Sequence, residues 1–337
     1  MKNILLAFTG GTIGSKVADN FIDTNPQAGF KLLEMFAELD TDPLSINFKT
    51  IQPLQILSEN LHPQHWQQII AAIEAEQPNQ FDGIILTHGT DTLAFSAAAL
   101  GLYFNQLQIP MLLVSSDLPL ENPLANGWSN FHCAIEFIRR IPQPGVFVAY
   151  QNQGQLPTIY QATRLASCLQ LSSDFIGIQS QVFMHFDGCK FTPNASIQHS
   201  PQKPINLEAK FSARILLITP YPGIDYTQFK LDQLDAVIHD LYHSGTACIS
   251  GLFGEEHNLL AFIKQCQAHQ LPVYLAPAIQ SENIYSSTKE LLNAGAQIIW
   301  NMSLETAYAK LLLAYGNYAD TEAIVDFLNT NIAGERI

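Results

Sequence analysis

The sequence has 337 residues, of which 47% are hydrophobic and 14% are charged, and its formal net charge is −14. This length suits two domains, and the composition predicts a buried core rather than disorder. The negative charge argues against partners such as nucleic acid or an anionic membrane, because these need clustered Lys and Arg. The apolar run at the N-terminus is too short for a signal peptide or a membrane span. Together these features predict a cytoplasmic protein.

Short apolar segments alternate with longer periodic ones in the first half. Four of the short segments are typical of buried strands: Asn3–Phe8, Gly83–Thr87, Met111–Ser115 and Val146–Tyr150. Three of the longer segments have apolar residues at helical spacing: Gln64–Glu76, Thr92–Asn105 and Trp128–Arg139. This alternation predicts an α/β domain over residues 1–190, with a mostly parallel sheet and helices on both faces.

The pattern dissolves over residues 191–212, where three prolines and many polar residues predict a linker. It then restarts and predicts a smaller C-terminal α/β domain over residues 213–337. The predicted strands are Arg214–Thr219, Ala236–Asp240, Val273–Ala276 and Gln297–Trp300. The predicted helices are Glu255–Gln267, Ser287–Asn293 and Ser303–Tyr315.

Two polar loops directly follow predicted strands of the first domain. They are Thr9–Gly14 (TGGTIG) and His88–Thr92 (HGTDT). Ligands of open α/β sheets lie beyond the carboxyl ends of the strands, so both loops are expected at one edge of the sheet. This edge is the predicted functional site.

Thr12 lies on the first loop, after two glycines that permit a tight turn. Its hydroxyl can attack a carbonyl if a neighbouring group accepts the proton. A structural turn or a phosphate-binding loop are alternatives, although the spacing matches neither G-x-G-x-x-G nor a loop ending in GK[ST].

On the second loop, Asp91 and Thr92 have the residue types of a helix N-cap. A capping role for these two residues does not explain the presence of a second threonine, Thr90, beside them. The carboxylate of Asp91 suits a substrate ammonium group, and a backbone amide at this helix start suits a developing oxyanion.

TGGTIG after the first strand, followed by HGTDT about 75 residues later, resembles the paired signature of the asparaginase/glutaminase family. Weaker similarity continues through Ser58 in QILSENLHPQHW, Tyr221–Ile224, Leu241–Thr246 and Met302–Lys310, so it covers nearly the whole chain. The cytoplasmic type I branch of the L-asparaginases is the most similar.

The resemblance implies a role for each matching position. Thr12 corresponds to the nucleophile that takes the acyl group, Thr90 to the second threonine, and Asp91 to the carboxylate that holds the α-amino group. Ser58 corresponds to a hydroxyl that binds the α-carboxylate. Close backbone approach is implied at Gly11 and Gly89, and an oxyanion donor at the amide of Thr90. The resemblance also implies a homodimer or homotetramer, without cofactor or metal.

Two positions depart from the family pattern. Phe21 stands where the family has a Tyr that activates the nucleophile, and Ala162 stands where it has a buried Lys, with Arg164 the nearest cation. Arginine is a poor general base because its pKa lies above about 12. Loss of one proton-transfer group costs about 10²–10⁴-fold in rate.

The leading hypothesis is therefore an amidohydrolase that acts on asparagine or a related small amide, with weak or altered activity. One alternative is a catalytically lapsed relative that binds aspartate or asparagine for regulation. Another is an amidase with a different substrate. A metal site at His239 and His243, four residues apart, is disfavoured because a strand is predicted at His239.

Overall fold

The computed structural model describes residues 1–18, 21–24, 28–194 and 201–337, and it describes the side chains of these residues except those of 14–29. The chain divides into two compact units. The first comprises Met1–His199 and Lys203–Ala209, and the second comprises Ser200–Gln202 and Lys210–Ile337.

Strands of the first unit, within its described part, are β1 (Lys2–Phe8), β2 (Ser15–Ala18), β3 (Phe21–Thr24), β4 (Ile46–Ile51), β5 (Gly83–Thr87), β6 (Pro110–Val114), β7 (Gly145–Tyr150), β8 (Thr158–Gln161), β9 (Met184–Phe186) and β10 (Phe191–Pro193). Eight of these described strands form one sheet in the order β10-β9-β8-β7-β6-β5-β1-β4. The sheet is parallel from β4 to β7 and antiparallel from β7 to β10. Strands β2 and β3 pair with each other as an antiparallel hairpin.

Helices of the first unit, in the same described part, are α1 (Ala28–Leu39), α2 (Pro63–Ala75), α3 (Leu93–Tyr103) and α4 (Gly127–Arg140). Alternate residues of the parallel strands, such as Ile4 and Leu6, share a core with residues of α1 and α4, including Leu32, Phe36 and Phe131. Because side chains alternate across a sheet, Leu5 and Ala7 face the opposite side. Both are fully buried.

Predicted and observed elements agree best where the sheet is parallel and buried. Strand β5 has the predicted limits, and β1, β6, β7 and helices α2, α3 and α4 begin and end within two residues of the prediction. Residues 191–193, predicted to open the linker, instead form β10 and pair with β9. Edge strand β4 and helix α1 were not predicted.

The described part of the second unit forms a parallel sheet of β11 (Ile215–Ile218), β12 (Ala236–Asp240), β13 (Val273–Ala278) and β14 (Gln297–Trp300), in that order. Its helices are α5 (Leu259–Ala268), α6 (Ser286–Asn293), α7 (Leu304–Asn317) and α8 (Thr321–Asn329). His239 lies on β12, and its Nε2 is 2.9 Å from the hydroxyl of Tyr226. It therefore does not share a helix with His243, which agrees with the strand predicted there.

No helix within the described ranges is both long enough and apolar enough to cross a membrane.

The C-terminal segment of the second unit is held by a buried ion pair. The side chains of Lys310 on α7 and Glu335 are both 0% exposed, and Lys310 Nζ lies 2.5 Å from Glu335 Oε1. The Glu335 carboxylate also accepts backbone N–H groups of Ile332 and Ala333. Lys310 additionally donates to the carbonyl of Thr330. One charge pair therefore anchors the last turn of the chain on α7.

Lys310→Met should lower the free energy of unfolding of the second unit by about 3–5 kcal/mol, because it leaves a buried carboxylate without its counter-charge. Chemical denaturation followed by the fluorescence of Trp300, in a chain whose other tryptophans are replaced by Phe, measures this loss. The double variant Lys310→Met, Glu335→Gln should recover part of it.

Arg214→Met is the matched control in the second unit, because the side chain of Arg214, which pairs with Asp235, is 64% exposed. It should cost less than about 1 kcal/mol. Equal losses for Lys310→Met and Arg214→Met would contradict the anchoring role.

Candidate active site at the carboxyl edge of the parallel strands

Three loops leave the carboxyl edge of the first unit's sheet side by side. They follow β1, β4 and β5, and β1 lies between the other two. Strand β4 lies on one side of β1 in the sheet. The later strands β5, β6 and β7 lie in order on the other side of β1. The order thus reverses between β1 and β5, which is where open α/β sheets form a ligand crevice.

The loops after β1 and β5 touch through two glycines. Gly11 has φ +75°, and a Cβ built on it would lie 2.3 Å from the amide nitrogen of Gly89. A Cβ on Gly89 would lie 2.4 Å from Ser58 Oγ and 3.2 Å from the Cα of Gly11. No side chain fits at either position, so the backbone of each loop forms a wall of the other.

The loop after β4 extends the sheet pairing beyond the end of β1. Gly11 N donates to Ile56 O at 2.9 Å, and Ile56 N donates to Thr9 O at 3.1 Å. Gly10, between them, has φ +100°, and a Cβ there would lie 2.2 Å from Ile56 O. Gly10 and Gly11 are therefore both required by close approach and by positive φ.

Ser58 and Asp91 meet across two different loops. Ser58 is buried, and its Oγ donates to Asp91 Oδ2 at 3.0 Å. Asp91 itself is exposed. Thr92 Oγ1 donates to the backbone carbonyl of Ser58 at 2.9 Å. The arrangement presents a carboxylate at the mouth of the crevice with a hydroxyl beneath it.

The N-cap interpretation of this loop is wrong for Thr92. Thr92 occupies the N-cap position of α3, but its side chain makes no capping hydrogen bond. It binds Ser58 instead. The residue type suggested a local contact, whereas the hydroxyl joins two loops that are 34 residues apart in the chain.

Thr12 and Thr90 each lie one residue beyond the touching glycines. Thr12 begins a short 3-10 helix, Thr12–Gly14, and is half-buried. Thr90 is also half-buried, and its carbonyl accepts the amide of Leu93 at 3.3 Å. Because Gly11 packs on Gly89, the contact brings together the backbone segments that carry the two threonines.

His88 is 2% exposed, and its Nδ1 lies 2.8 Å from the carbonyl oxygen of Gly89. A carbonyl only accepts, so Nδ1 carries the proton. Burial lowers the pKa of His88, although the hydrogen bond to Gly89 and the charge of Asp91 oppose this. The imidazole is therefore neutral near pH 7, and its observed contact is local.

The two departures from the family pattern have different surroundings. Phe21 begins β3, where its backbone pairs with Ala18, and its side chain lies outside the described residues. Ala162 is 0% exposed and packs beside Gly101 of α3, while Arg164 is 6% exposed. Ala162 supplies no amine to the crevice.

Tyr150 does not replace the tyrosine that the family resemblance implies at the position of Phe21. It ends β7, three strands from β1, which corresponds to about 14 Å at normal strand spacing. Burial also raises its pKa, with Asp117, Cys168 and Asp174 adding to the effect. A phenol in this position is far from Thr12 and hard to ionise.

Two contributions to the site were missed by sequence reasoning. The backbone of Ile56 pairs with the first loop, and the side chains of Thr9 and Thr87 bind each other's backbone. Thr9 begins the first motif and Thr87 directly precedes the second. These positions are the signal that was available.

Comparisons with known proteins give the family of this chain. Residues 3–190 match the family model described as "Asparaginase, N-terminal". The chain is 26% identical to a glutamyl-tRNA(Gln) amidotransferase component of Methanosphaera stadtmanae, over 99% of this chain and 76% of that protein. It is also 26% identical to the L-asparaginase of Thermococcus kodakarensis, over 99% of each chain.

Solved structures have the same fold. The thermostable L-asparaginase from Thermococcus kodakarensis superposes with a TM-score of 0.82 at 24% identity, covering 99% of both chains. L-asparaginase I from Vibrio cholerae gives a TM-score of 0.80 at 23% identity, covering 100% of this chain and 99% of that one. The family model spans more than half of the chain and includes all three loops of the crevice, so this protein belongs to the asparaginase family of amidohydrolases.

Proposed function

We propose that this protein hydrolyses the side-chain amide of L-asparagine, or of a related small amino-acid amide, through an acyl-threonine at Thr12. The observation that carries the proposal is the contact of Gly11 with Gly89, which brings the two threonine loops together. The proposed substrate is a small molecule, and neither nucleic acid nor a membrane takes part in the reaction. The proposed mechanism uses no cofactor or metal.

In the proposed reaction, Thr12 Oγ1 attacks the amide carbon of the substrate. Its proton passes to the amide nitrogen, the C–N bond breaks, and ammonia leaves. Water then adds to the ester, the bond to Thr12 Oγ1 breaks, and aspartate is released. Thr90 would relay the proton, and the backbone amides of Gly89 and Thr90 would stabilise the oxyanion.

Asp91 and Ser58 would hold the amino-acid end of the substrate. The exposed carboxylate of Asp91 would accept the α-ammonium group, and the hydroxyl of Ser58 would turn to the α-carboxylate. Their mutual hydrogen bond of 3.0 Å supports a joint role, because one ligand group can reach both. Gly11 would allow the substrate to approach the backbone closely.

The rate is expected to be low. With Phe21 and Ala162, the chain lacks the phenol and the amine that the family resemblance implies, and each loss costs about 10²–10⁴-fold. If activity is absent, the regulatory alternative remains: a relative that binds aspartate or asparagine without turnover. The expected cytoplasmic location and the homodimer or homotetramer also stay predictions.

A second candidate function is suggested by the similarity to the amidotransferase components. This chain would then release ammonia from a free amide for transfer to another acceptor, together with a partner protein. Its net charge of −14 opposes direct contact with tRNA, so the partner would have to bind the RNA. Asparagine hydrolysis without any partner favours the first proposal.

Thr12→Ala should abolish ammonia release from L-asparagine, a loss of at least about 10²-fold, because the nucleophile is removed. A coupled ammonia assay at millimolar asparagine and glutamine measures it. Thr12→Ser should keep part of the activity.

Thr50→Ala is the matched control for Thr12→Ala, since Thr50 is an exposed threonine on β4. It should leave the rate unchanged. Activity that survives Thr12→Ala would refute the acyl-threonine.

Asp91→Ala should weaken the binding of L-aspartate by about 10–100-fold, the equivalent of a lost charge-assisted hydrogen bond. Isothermal titration calorimetry measures this directly, whether or not the protein turns over. Asp187→Ala is the control, because Asp187 is an exposed aspartate on the β9–β10 turn.

Tight aspartate binding without ammonia release from the wild type would support the regulatory alternative. Equal affinity in Asp91→Ala and the wild type would remove Asp91 from the proposed site.

A further inference from the structure

Two buried threonines link β1 and β5 at the point where the strands end. Thr9 Oγ1 donates to the backbone carbonyl of Thr87 at 2.5 Å. In return, Thr87 Oγ1 accepts the backbone N–H of Thr9 at 3.3 Å. The residues are 3% and 1% exposed, respectively. We call this reciprocal pair the threonine clasp.

The threonine clasp lies at the root of both loops. Parallel pairing of β1 with β5 ends at Phe8 and Thr87, so the clasp is the next link outward along the two strands. Thr9 is followed by Gly10, Gly11 and Thr12, and Thr87 by His88, Gly89 and Thr90. On its other side, Thr9 O accepts the amide of Ile56 at 3.1 Å. Thr9 is therefore held by β5 on one side and by the loop after β4 on the other, just before the chain turns.

We propose that Thr9 is a positioning residue, whose hydroxyl sets the spacing between the loop of Thr12 and the loop of Thr90 and Asp91. This inference rests on the proposed function. Thr9 itself is not catalytic in the proposal: it is buried beneath the crevice, three residues before the nucleophile.

The spacing matters because the reacting groups are divided between the loops. The substrate would be held by Asp91 on one loop and attacked by Thr12 on the other. A displacement of about 1 Å between such groups costs about 10²-fold in rate. Further out, the loops approach each other through the backbone of Gly11 and Gly89, which carry no side chain that could correct the distance.

A methyl group in place of the hydroxyl would enforce such a displacement. The oxygen of Thr9 approaches the carbonyl oxygen of Thr87 to 2.5 Å. A methyl carbon prefers a separation of roughly 3.5 Å from a non-bonded atom, so the loops would separate by about 1 Å. Thr9→Val keeps the branched shape and introduces this methyl, whereas Thr9→Ser keeps the hydroxyl.

The first test compares the steady-state kinetics of Thr9→Val, Thr9→Ser and the wild type on L-asparagine. Thr9→Val should lower kcat by about 10–100-fold while KM stays within about threefold, because the contacts to the amino-acid end are unchanged. Thr9→Ser should restore kcat to within about threefold of the wild type.

Thr158→Val is the matched control. Thr158 is also 1% exposed, and its Oγ1 donates to the carbonyl of Leu156 at 2.9 Å on β8, away from the crevice. It should destabilise the protein as much as Thr9→Val does in chemical denaturation, yet leave kcat unchanged. An equal fall of kcat in both variants would reduce the role of Thr9 to general stability and overturn the proposal.

Hydrogen exchange read by mass spectrometry tests the threonine clasp without relying on activity. Thr9→Val should accelerate exchange in peptides that cover residues 9–14 and 88–92, and Thr158→Val should not. Unchanged exchange in both loops, or no rescue by Thr9→Ser, would contradict the inference. If the wild type hydrolyses no amide, the proposed function fails, and the exchange data alone decide whether the clasp holds the loops.

Discussion

The site depends on a contact between two stretches of backbone that carry no side chains. Gly11 and Gly89 lie so close that a Cβ on Gly11 would meet the Gly89 amide at 2.3 Å. Neighbouring parallel strands are spaced about 4.8 Å apart. Here the two glycines keep the loops together beyond the ends of the strands, directly before Thr12 and Thr90. Ser58 fits against the same glycine, which adds the third loop to the contact.

The burial of each strand decided whether it could be predicted from the sequence. A strand covered on both faces is almost entirely apolar, and β5, with the sequence GIILT and all five residues buried, was predicted to the residue. Edge strands lack this signal. β4 (INFKTI) exposes Asn47, Lys49 and Thr50, and β10 has three residues and ends in a proline. Their pairing is decided by neighbouring strands, and a local pattern does not record it.

The residues of the site also divide into those that the sequence predicted and those that it did not. The paired motifs led to Thr12, Thr90 and Asp91, and the weaker similarity led to Ser58, because hydroxyl and carboxylate side chains are visible in a sequence. Ile56 was missed because it acts through its backbone, and any residue type offers the same N–H and C=O. Thr92 was interpreted as a helix cap, since sequence alone does not reveal that its hydroxyl reaches Ser58. The side chain of Phe21 lies outside the described residues, so its departure from the family pattern rests on the sequence alone.

The hydrogen bond from Ser58 to Asp91 has a consequence for selectivity. A ligand that takes Asp91 Oδ2 must replace a bond that the crevice already contains, so only the difference between the two bonds contributes to affinity. An ammonium group gains from the exchange because it brings a full positive charge to the carboxylate, whereas the hydroxyl of Ser58 is neutral. A neutral amide N–H, such as that of an N-acylated amino acid or a residue within a peptide, gains little. Under the proposed function, the crevice would thereby favour free amino acids over blocked ones before any reaction begins.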